Sequence, residues 1–465
     1  MDTHQACSSA KSKKEAQQEI MQIMRNSGRD IVEPGTFASK YALSAPYHIF
    51  FTRVEESRET YSQNFSITFP EILDRSFGEI VNSLHLNCKV DVKWLHEQYV
   101  LADQCTDMMI LCGNRVDEEE IDNIIVKHVD MPSEFGKHHT KMMILQYKDN
   151  RIKIVISTAN LHFDDWENRT QGLWISPHLP PLPTSAKSTD GDSPTNFKRD
   201  FLQYLNKYQG SDWDFLKQWV KVVEKANFSA INVFLLTSTP GSYTNIEANL
   251  WGYKKLERLL SWHVTLPPDA SQWPIIAQSS SVGSFGKQYD NWLLKVIKSM
   301  SCDTTQDLRD QPEFQFIYPS VDNYEKSFDF RNSTCCLCYS MEVYSKQPWL
   351  ESYLYQWKAT RTGRDKAMPH VKSYTRVSPD LKSIPWFVLT SANLSKGAWG
   401  CQWNKYYITR NYEVGVVFLP KFVTGTMMFT ISEDKGSDIP IFPIPYDLPL
   451  CKYDSSDDPF ITREE

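Results

Sequence analysis

No stretch of this chain reaches the ~18 consecutive apolar residues that a membrane-spanning helix needs, so no span is expected. The first twenty residues, MDTHQACSSAKSKKEAQQEI, lack the apolar centre of a secretory signal, and none is expected there. Basic residues are not in excess: 50 Lys and Arg stand against 57 Asp and Glu, a formal charge of −7. That excludes a wholly basic nucleic-acid coat but leaves room for a local basic groove, because the potential in a cleft depends on where its charges sit. The ten cysteines are scattered rather than framed for disulfides, as expected of free thiols in a reducing compartment. Cys335, Cys336 and Cys338 do cluster, yet no second Cys or His pair follows at a suitable spacing. Neither a metal nor another cofactor is expected.

What the chain does have is length and repetition. At 465 residues it exceeds one ordinary core, so two domains are expected. An aromatic content of 13%, with 14 Trp, points to large buried clusters or stacking surfaces. The repeat is seen between FGKHHTKMMILQYKDNRIKIVISTAN, from Phe135 to Asn160, and MPHVKSYTRVSPDLKSIPWFVLTSAN, from Met368 to Asn393. Each holds a His-x-Lys pair, His139 with Lys141 and His370 with Lys372, and closes on an apolar strand ending in Ala-Asn-Leu. One His-x-Lys is expected by chance, and a lone His on a strand is more often packed than catalytic. Two copies with the same ending are hard to obtain by accident. The offset of 231 residues between the two histidines is far too long for a solenoid.

Strands alternating with helices in each half predict two similar α/β domains with the site where they meet. A polar tail at 1–35, with a helical turn at 20–24, is expected to be disordered; the domains are expected at 36–230 and 231–465. In the first, YHIFFTRV, MMILCG and RIKIVIST read as strands, with Lys148-Asp149-Asn150 as a hairpin turn. Phe77 to Leu86 and Trp94 to Tyr99 read as helical or mixed. The Pro- and Ser-rich stretch at 176–194 reads as a surface loop. Helical spacing follows at Phe197, Phe201, Leu205 and Tyr208, and again from Trp213 to Asn227. In the second half INVFLLTS, the stretch at 273–278, FQFIYPS and WFVLTSAN read as strands, and 290–300 and 349–360 as helices. The Pro-rich segment after Pro440 is expected to pack as extended cover.

The chemistry follows from residue type. Residues two apart on a strand share a face, so each half can present an imidazole, an ammonium and a carboxamide, Asn160 or Asn393, to one point. Two lysines and two amides there neutralise a phosphoryl group as charge shifts in the transition state, work often done by magnesium. A neutral imidazole can attack phosphorus. A second, protonated, can hand a proton to the leaving oxygen and later take one from water. Imidazole pKa values near neutrality allow both.

The motifs GKHHTKMM, STANL, TQGLWIS, QSSSVGSFG, AMPHVK, TSANLSKGAWG and NYEVGVVFLP resemble, in order, those of the tyrosyl-DNA phosphodiesterase family, within the phospholipase D superfamily. The similarity runs from about Tyr47 to about Leu450. Lipases and nucleases of the superfamily carry an Asp shortly after each motif His, where this chain has Gln146 and Val377; that departure is what the tyrosyl-DNA branch shows. The resemblance implies two phospholipase D-like α/β/α sandwich domains with a site at their interface. The implied substrate is a DNA 3′-end joined through phosphate to a peptide tyrosine of a type IB topoisomerase. It implies His139 as nucleophile, His370 as general acid and base, and Lys141, Lys372, Asn160 and Asn393 as phosphate binders. Gln171 and Glu413 match polar residues that brace the histidines, and we expect Glu413 beside the nucleophile, since a carboxylate makes its imidazole a better base. Ser281, Ser284, Ser395 and Phe135 match residues that contact DNA; an ordinary turn for Ser281 and Ser284 and core packing for Phe135 fit equally well. A nuclear monomer without membrane attachment is the corresponding expectation.

Two other readings remain open at this point. A lipid phosphodiesterase of the same superfamily would want an apolar membrane-facing patch. A non-catalytic DNA-end binding protein would bind tightly and release no product.

Overall fold

The computed structural model describes residues 18, 21–23, 26, 35–116, 121–289, 291–305, 312–432 and 439–462. The expected polar tail lies almost wholly outside them; of the helical turn expected there, residues 21–23 are described and are helical.

Eight strands form the first sheet: β1 Ile49–Thr52, β2 Ser66–Ile67, β3 Ile80–Asn87, β4 Asp107–Cys112, β5 Ile124–His128, β6 Met142–Tyr147, β7 Ile152–Ser157 and β8 Gly172–Ile175. Their order across the sheet is β2-β1-β8-β7-β6-β3-β4-β5. The run Ile152–Ser157 is buried at every position, because helices cover both faces of the sheet. Ile144, Ile154, Ile156 and Trp174 pack in one cluster with helices Phe197–Leu205 and Gly210–Glu224. The alternate residues Met143, Leu145, Val155 and Leu173 pack with helices Phe37–Leu43 and Val92–Leu101.

The second half supplies β9 Phe234–Ser238, β10 Gly241–Tyr243, β11 Ile275–Gln278, β12 Phe314–Ile317, β13 Leu354–Tyr355, β14 Ser373–Arg376, β15 Ser383–Ile384, β16 Phe387–Thr390, β17 Cys401–Trp403, β18 Tyr406–Thr409, β19 Glu413–Phe418 and β20 Phe429–Thr430. Its main sheet runs β13-β12-β11-β14-β16-β19-β9. Reversed, this is the first sheet strand for strand without β2. β14, β16 and β19 are antiparallel neighbours like β6, β7 and β8. β11 and β12 are parallel like β3 and β4, and β9 closes antiparallel on β19 as β1 does on β8. The duplication seen in two motifs therefore extends to the topology of both sheets, and the architecture is the expected pair of similar α/β sandwiches.

Two segments differ from their sequence reading. The stretch from Phe77 to Leu86, read as helical or mixed, holds the central strand β3, whose neighbours β4 and β6 supply its backbone hydrogen bonds. Residues 349–360, read as a helix, are a 3₁₀ turn at Pro348–Tyr353, the short strand β13 and a second turn at Thr360–Thr362. Pairing of Leu354 and Tyr355 with Phe316 and Ile317 outweighs helical propensity there. The helix expected from residue 290 starts at Leu293.

Candidate active site

Both motif histidines sit three residues ahead of a strand, His139 before β6 and His370 before β14. Both motif asparagines sit three residues beyond one, Asn160 after β7 and Asn393 after β16. The His-x-Lys pairs are thus on extended lead-in segments rather than on the strands themselves. Side chains still alternate there. His138 points away from the site, its ring nitrogens on the Asn87 carbonyl at 3.1 Å and the Tyr208 hydroxyl at 2.8 Å. Burial holds its pKa down to about 3, a neutral structural imidazole. Thr140 bonds Tyr204 on the same side, which leaves His139 and Lys141 facing the other way.

Each lead-in segment is clamped by the other half of the chain. The His139 amide donates to the Tyr412 carbonyl at 3.0 Å, and the Tyr412 amide donates back to the Lys137 carbonyl at 3.0 Å. In the mirror position the Thr170 amide donates to the Met368 carbonyl at 3.0 Å and the His370 amide to the Thr170 carbonyl at 3.0 Å. Gly172, just beyond, allows this approach: a Cβ there would lie 2.6 Å from Leu389 Cδ1.

These clamps bring each imidazole to a polar residue of the opposite half. His139 Nδ1 lies 2.9 Å from Glu413 Oε2. Glu413 also accepts from the Ser391 hydroxyl at 2.5 Å and from Asn411 Nδ2 at 3.0 Å. A carboxylate so placed accepts from Nδ1–H and leaves the Nε2 lone pair outward. His370 Nδ1 lies 3.0 Å from Gln171 Nε2, while Thr158, the counterpart of Ser391, donates to Gln171 Oε1 at 2.8 Å. The expected pairing of Glu413 with His139 and Gln171 with His370 is the one the geometry has.

Sequence reasoning missed Asp165. Its Oδ2 stands 3.3 Å from His370 Nδ1, and its carboxylate also takes Arg169 Nη1 at 2.7 Å and the Asn160 amide at 2.6 Å. His370 Nδ1 therefore faces a donor, Gln171 Nε2, and two acceptors, Gln171 Oε1 at 3.2 Å and Asp165. The donor suits the neutral ring with its lone pair at Nδ1 and the acceptors suit the imidazolium, so the surroundings serve both protonation states. Nothing local in STANLHFDDWE distinguishes Asp165 from Asp164, and only the return of the helix Phe163–Glu167 aims it at a histidine far away in sequence.

The electrostatics join the two pairs in one neighbourhood. Burial lowers the pKa of His139, opposed by Glu413 and reinforced by Lys141 and by Lys372 of the other half. Burial, Lys372 and Lys141 hold His370 well below the ordinary imidazole value, opposed by Asp165. Burial lowers Lys141 too, and burial together with Lys141 brings Lys372 down to about 7. Each lysine donates to the carbonyl of its own histidine, Lys141 to His139 at 3.1 Å and Lys372 to His370. Two buried ammoniums that repel one another make a site for an anion.

The asparagines are held differently. Asn393 Oδ1 accepts from the backbone amides of Ser280 and Ser281 at 3.2 and 3.1 Å, which turns its amide hydrogens outward. Asn160 gives one amide hydrogen to Asp165 at 3.0 Å, which leaves the other to donate, and its Oδ1 is buried without a partner among the described residues.

A cleft of 480 Å³ opens on His139, Asn393 and Glu413. Phe135, Ser281, Ser284 and Ser395 all line it, with Lys137, Lys396 and Arg410, three cations the sequence reading did not single out. Phe135 is 76% exposed, which removes its core reading, and the Arg410 guanidinium sits 5.5 Å from its ring centre. His370, both motif lysines, Asn160 and Gln171 do not line the cleft and are buried or half-buried. Cys335, Cys336 and Cys338 are free thiols, and among the described residues no group of three His, Cys, Asp or Glu side chains is arranged to hold a metal ion.

Residues 48–454 match the family model for tyrosyl-DNA phosphodiesterase. The chain is 42% identical to tyrosyl-DNA phosphodiesterase 1 of Drosophila melanogaster over 451 residues, covering 93% of this chain and 76% of that one. It is 30% identical to a probable tyrosyl-DNA phosphodiesterase of Caenorhabditis elegans, covering 84% of each. The crystal structure of the yeast tyrosyl-DNA phosphodiesterase superposes with a TM-score of 0.67 at 21% identity, over 89% of this chain and 99% of that one, a likeness of fold.

Proposed function

The chain belongs to the tyrosyl-DNA phosphodiesterase family and is a phosphodiesterase, and from that premise we propose that it hydrolyses the bond between a topoisomerase tyrosine and a DNA 3′-phosphate in two metal-independent steps. In the first, the His139 Nε2 lone pair attacks phosphorus, the bond from phosphorus to the tyrosine oxygen breaks, and the phenolate takes a proton from His370. In the second, His370 takes a proton from water, the water oxygen attacks phosphorus, and the phosphorus–nitrogen bond to His139 breaks. The products are a DNA 3′-phosphate and a free tyrosine end. Lys141, Lys372, Asn393 and the remaining amide hydrogen of Asn160 hold the non-bridging oxygens. The diester's negative charge, entering beside His370, adds to the pull of Asp165 toward imidazolium. A phenol, with a pKa of about 10, leaves far more readily than an alkyl alcohol, so such adducts are cleaved while internal linkages are spared.

The observation that carries this reading is the crossed bracing of the two imidazoles: among the described residues Glu413 alone on the Nδ1 of His139, and a donor with acceptors from Gln171 and Asp165 on that of His370. A nucleus-located monomer acting on single-stranded ends fits the substrate and is part of the proposal. The test is a 3′-phosphotyrosyl oligonucleotide given to the wild type and to His370→Ala. We expect free tyrosine and a 3′-phosphate from the first, and from the second an accumulating covalent adduct with hydrolysis slowed by about 10²–10⁴. Tyrosine release by His370→Ala at the wild-type rate overturns the scheme.

A further inference from the structure

The hairpin of β17 and β18 carries two large aromatic side chains that neither the fold nor the reaction uses. Its cross-strand pairs are Cys401 with Ile408, Gln402 with Tyr407, and Trp403 with Tyr406. Directly opposed residues share a face of a hairpin, and so do residues two apart. Cys401, Trp403, Tyr406 and Ile408 therefore form one face, and Gln402 and Tyr407 the other. Tyr407 points inward, fully buried and edge-on to Tyr253. On the opposite face Cys401 and Ile408 line the cleft that opens on His139. One strand repeat further out, about 7 Å, Trp403 and Tyr406 lie 68% and 40% exposed.

The strip from Ile408 to Trp403 is thus a continuation of the cleft wall beyond its mouth. Its charge fits an anion: Lys137, Lys396 and Arg410 line the cleft, and Glu413, the one carboxylate among its described lining residues, is engaged by His139, Ser391 and Asn411. At the hairpin tip the Lys405 ammonium stands 5.4 Å from the Tyr406 ring centre, as the Arg410 guanidinium stands beside Phe135. Aromatic faces with a cation alongside, set end to end with a cationic cleft, match a strand of alternating bases and phosphates. They match an acidic globular surface or a lipid tail poorly.

We propose that Trp403 and Tyr406 form an outer base-stacking platform for the single-stranded nucleic acid whose 3′-end enters the cleft, holding a nucleotide beyond those at the cleft itself. The proposal rests on the reading of the site as one for a DNA 3′-end. Stacking reads no sequence, so the platform lengthens the grip on a strand without choosing among bases.

The experiment measures binding, which does not need turnover. Fluorescence anisotropy of 5′-labelled, 3′-phosphorylated oligothymidylates of about four and about twelve nucleotides, lengths that bracket a short and a long single-strand site, is read for the full chain. The variants are Trp403→Ala, Tyr406→Ala, the double variant and Trp403→Phe. We expect the double variant to bind the longer strand about five- to tenfold more weakly, the shorter strand to change by less than about twofold, and Trp403→Phe to keep most of the affinity. An abasic residue moved along the longer strand should reproduce the loss at one position, with no further loss in Trp403→Ala. Equal losses at both lengths, no loss at either, or an effect of the variants confined to self-association or to a tyrosyl peptide overturns the platform. A wild type that binds in this length-dependent way yet releases no tyrosine from a 3′-phosphotyrosyl strand overturns the activity and leaves the platform standing.

Discussion

The two halves of this protein hold the same imidazole in the same place and treat it differently. Around His139 the polar partner is a buried carboxylate, Glu413, and among the described residues no Lys or Arg bonds it. Around His370 the equivalent position is an amide, Gln171, and a carboxylate, Asp165, enters from the side with Arg169 on its other oxygen. Ser391 and Thr158 keep the duplication visible one step further out. A ring whose Nδ1 sees only an acceptor keeps its other nitrogen as a base and nucleophile. A ring whose Nδ1 sees both a donor and an acceptor tolerates gaining and losing a proton. Duplication supplied two similar settings, and on the proposed mechanism a few side chains beyond the histidines divide the labour between them.

The largest test of that division removes the rings. His139→Ala should lose about 10⁴-fold or more of the turnover and form no adduct, whereas His370→Ala should form one and stall; rapid quench followed by gel analysis separates the two. If both variants trap adduct alike, the halves are interchangeable.

A second test alters the partners. Glu413→Gln should slow the attack step by about 10- to 100-fold while hydrolysis of a preformed adduct slows less; equal slowing would mean that the carboxylate does nothing an amide cannot. Asp165→Asn should act on the other ring. Asp165 raises the His370 pKa, so its loss lowers that pKa, and the fall in kcat at high pH should begin at lower pH than in the wild type. A high-pH limb that stays in place removes Asp165 from the proton economy of His370.

The smallest effect concerns the lysines, which are alike in the two halves. With its pKa near 7 in place of the usual 10.5, the Lys372 ammonium destabilises the folded chain at pH below about 7, and that penalty lifts as the pH rises through its folded value. An anion in the site offsets the penalty where the lysine is charged. Millimolar sulfate should therefore raise Tm by about 1–2 °C at pH 6 and by less at pH 9, and Lys372→Met should abolish the difference. The same increment at both pH values would contradict it.

Much of this was legible in the chain itself. The fold class and the duplication follow from strand and helix periodicity and from two His-x-Lys motifs closing on Ala-Asn-Leu, since these are local patterns. The histidines, lysines and asparagines proposed to carry the chemistry are named by the same motifs, whereas Asp165 is not. Periodicity failed at Phe77 to Leu86 and at residues 349–360, where pairing with strands distant in sequence decided the backbone. Trp403 and Tyr406 read as two more aromatics in a chain rich in them until the register placed them outside the cleft.

The pairing of Glu413 with His139 and Gln171 with His370 was expected from the family resemblance and from carboxylate chemistry, not from any pattern within this chain. Glu413 meets His139 across 274 positions and Gln171 meets His370 across 199, and contacts that long leave no periodic or spacing signal. The sequence alone specified two matching sets of reactive groups and the sheets that carry them, because hydrophobic alternation and strand ends are written in neighbouring residues. The crossing of those sets, the sideways approach of Asp165 and the resulting inequality of the two rings were decided by how the halves pack, a property of surfaces that come together only in three dimensions.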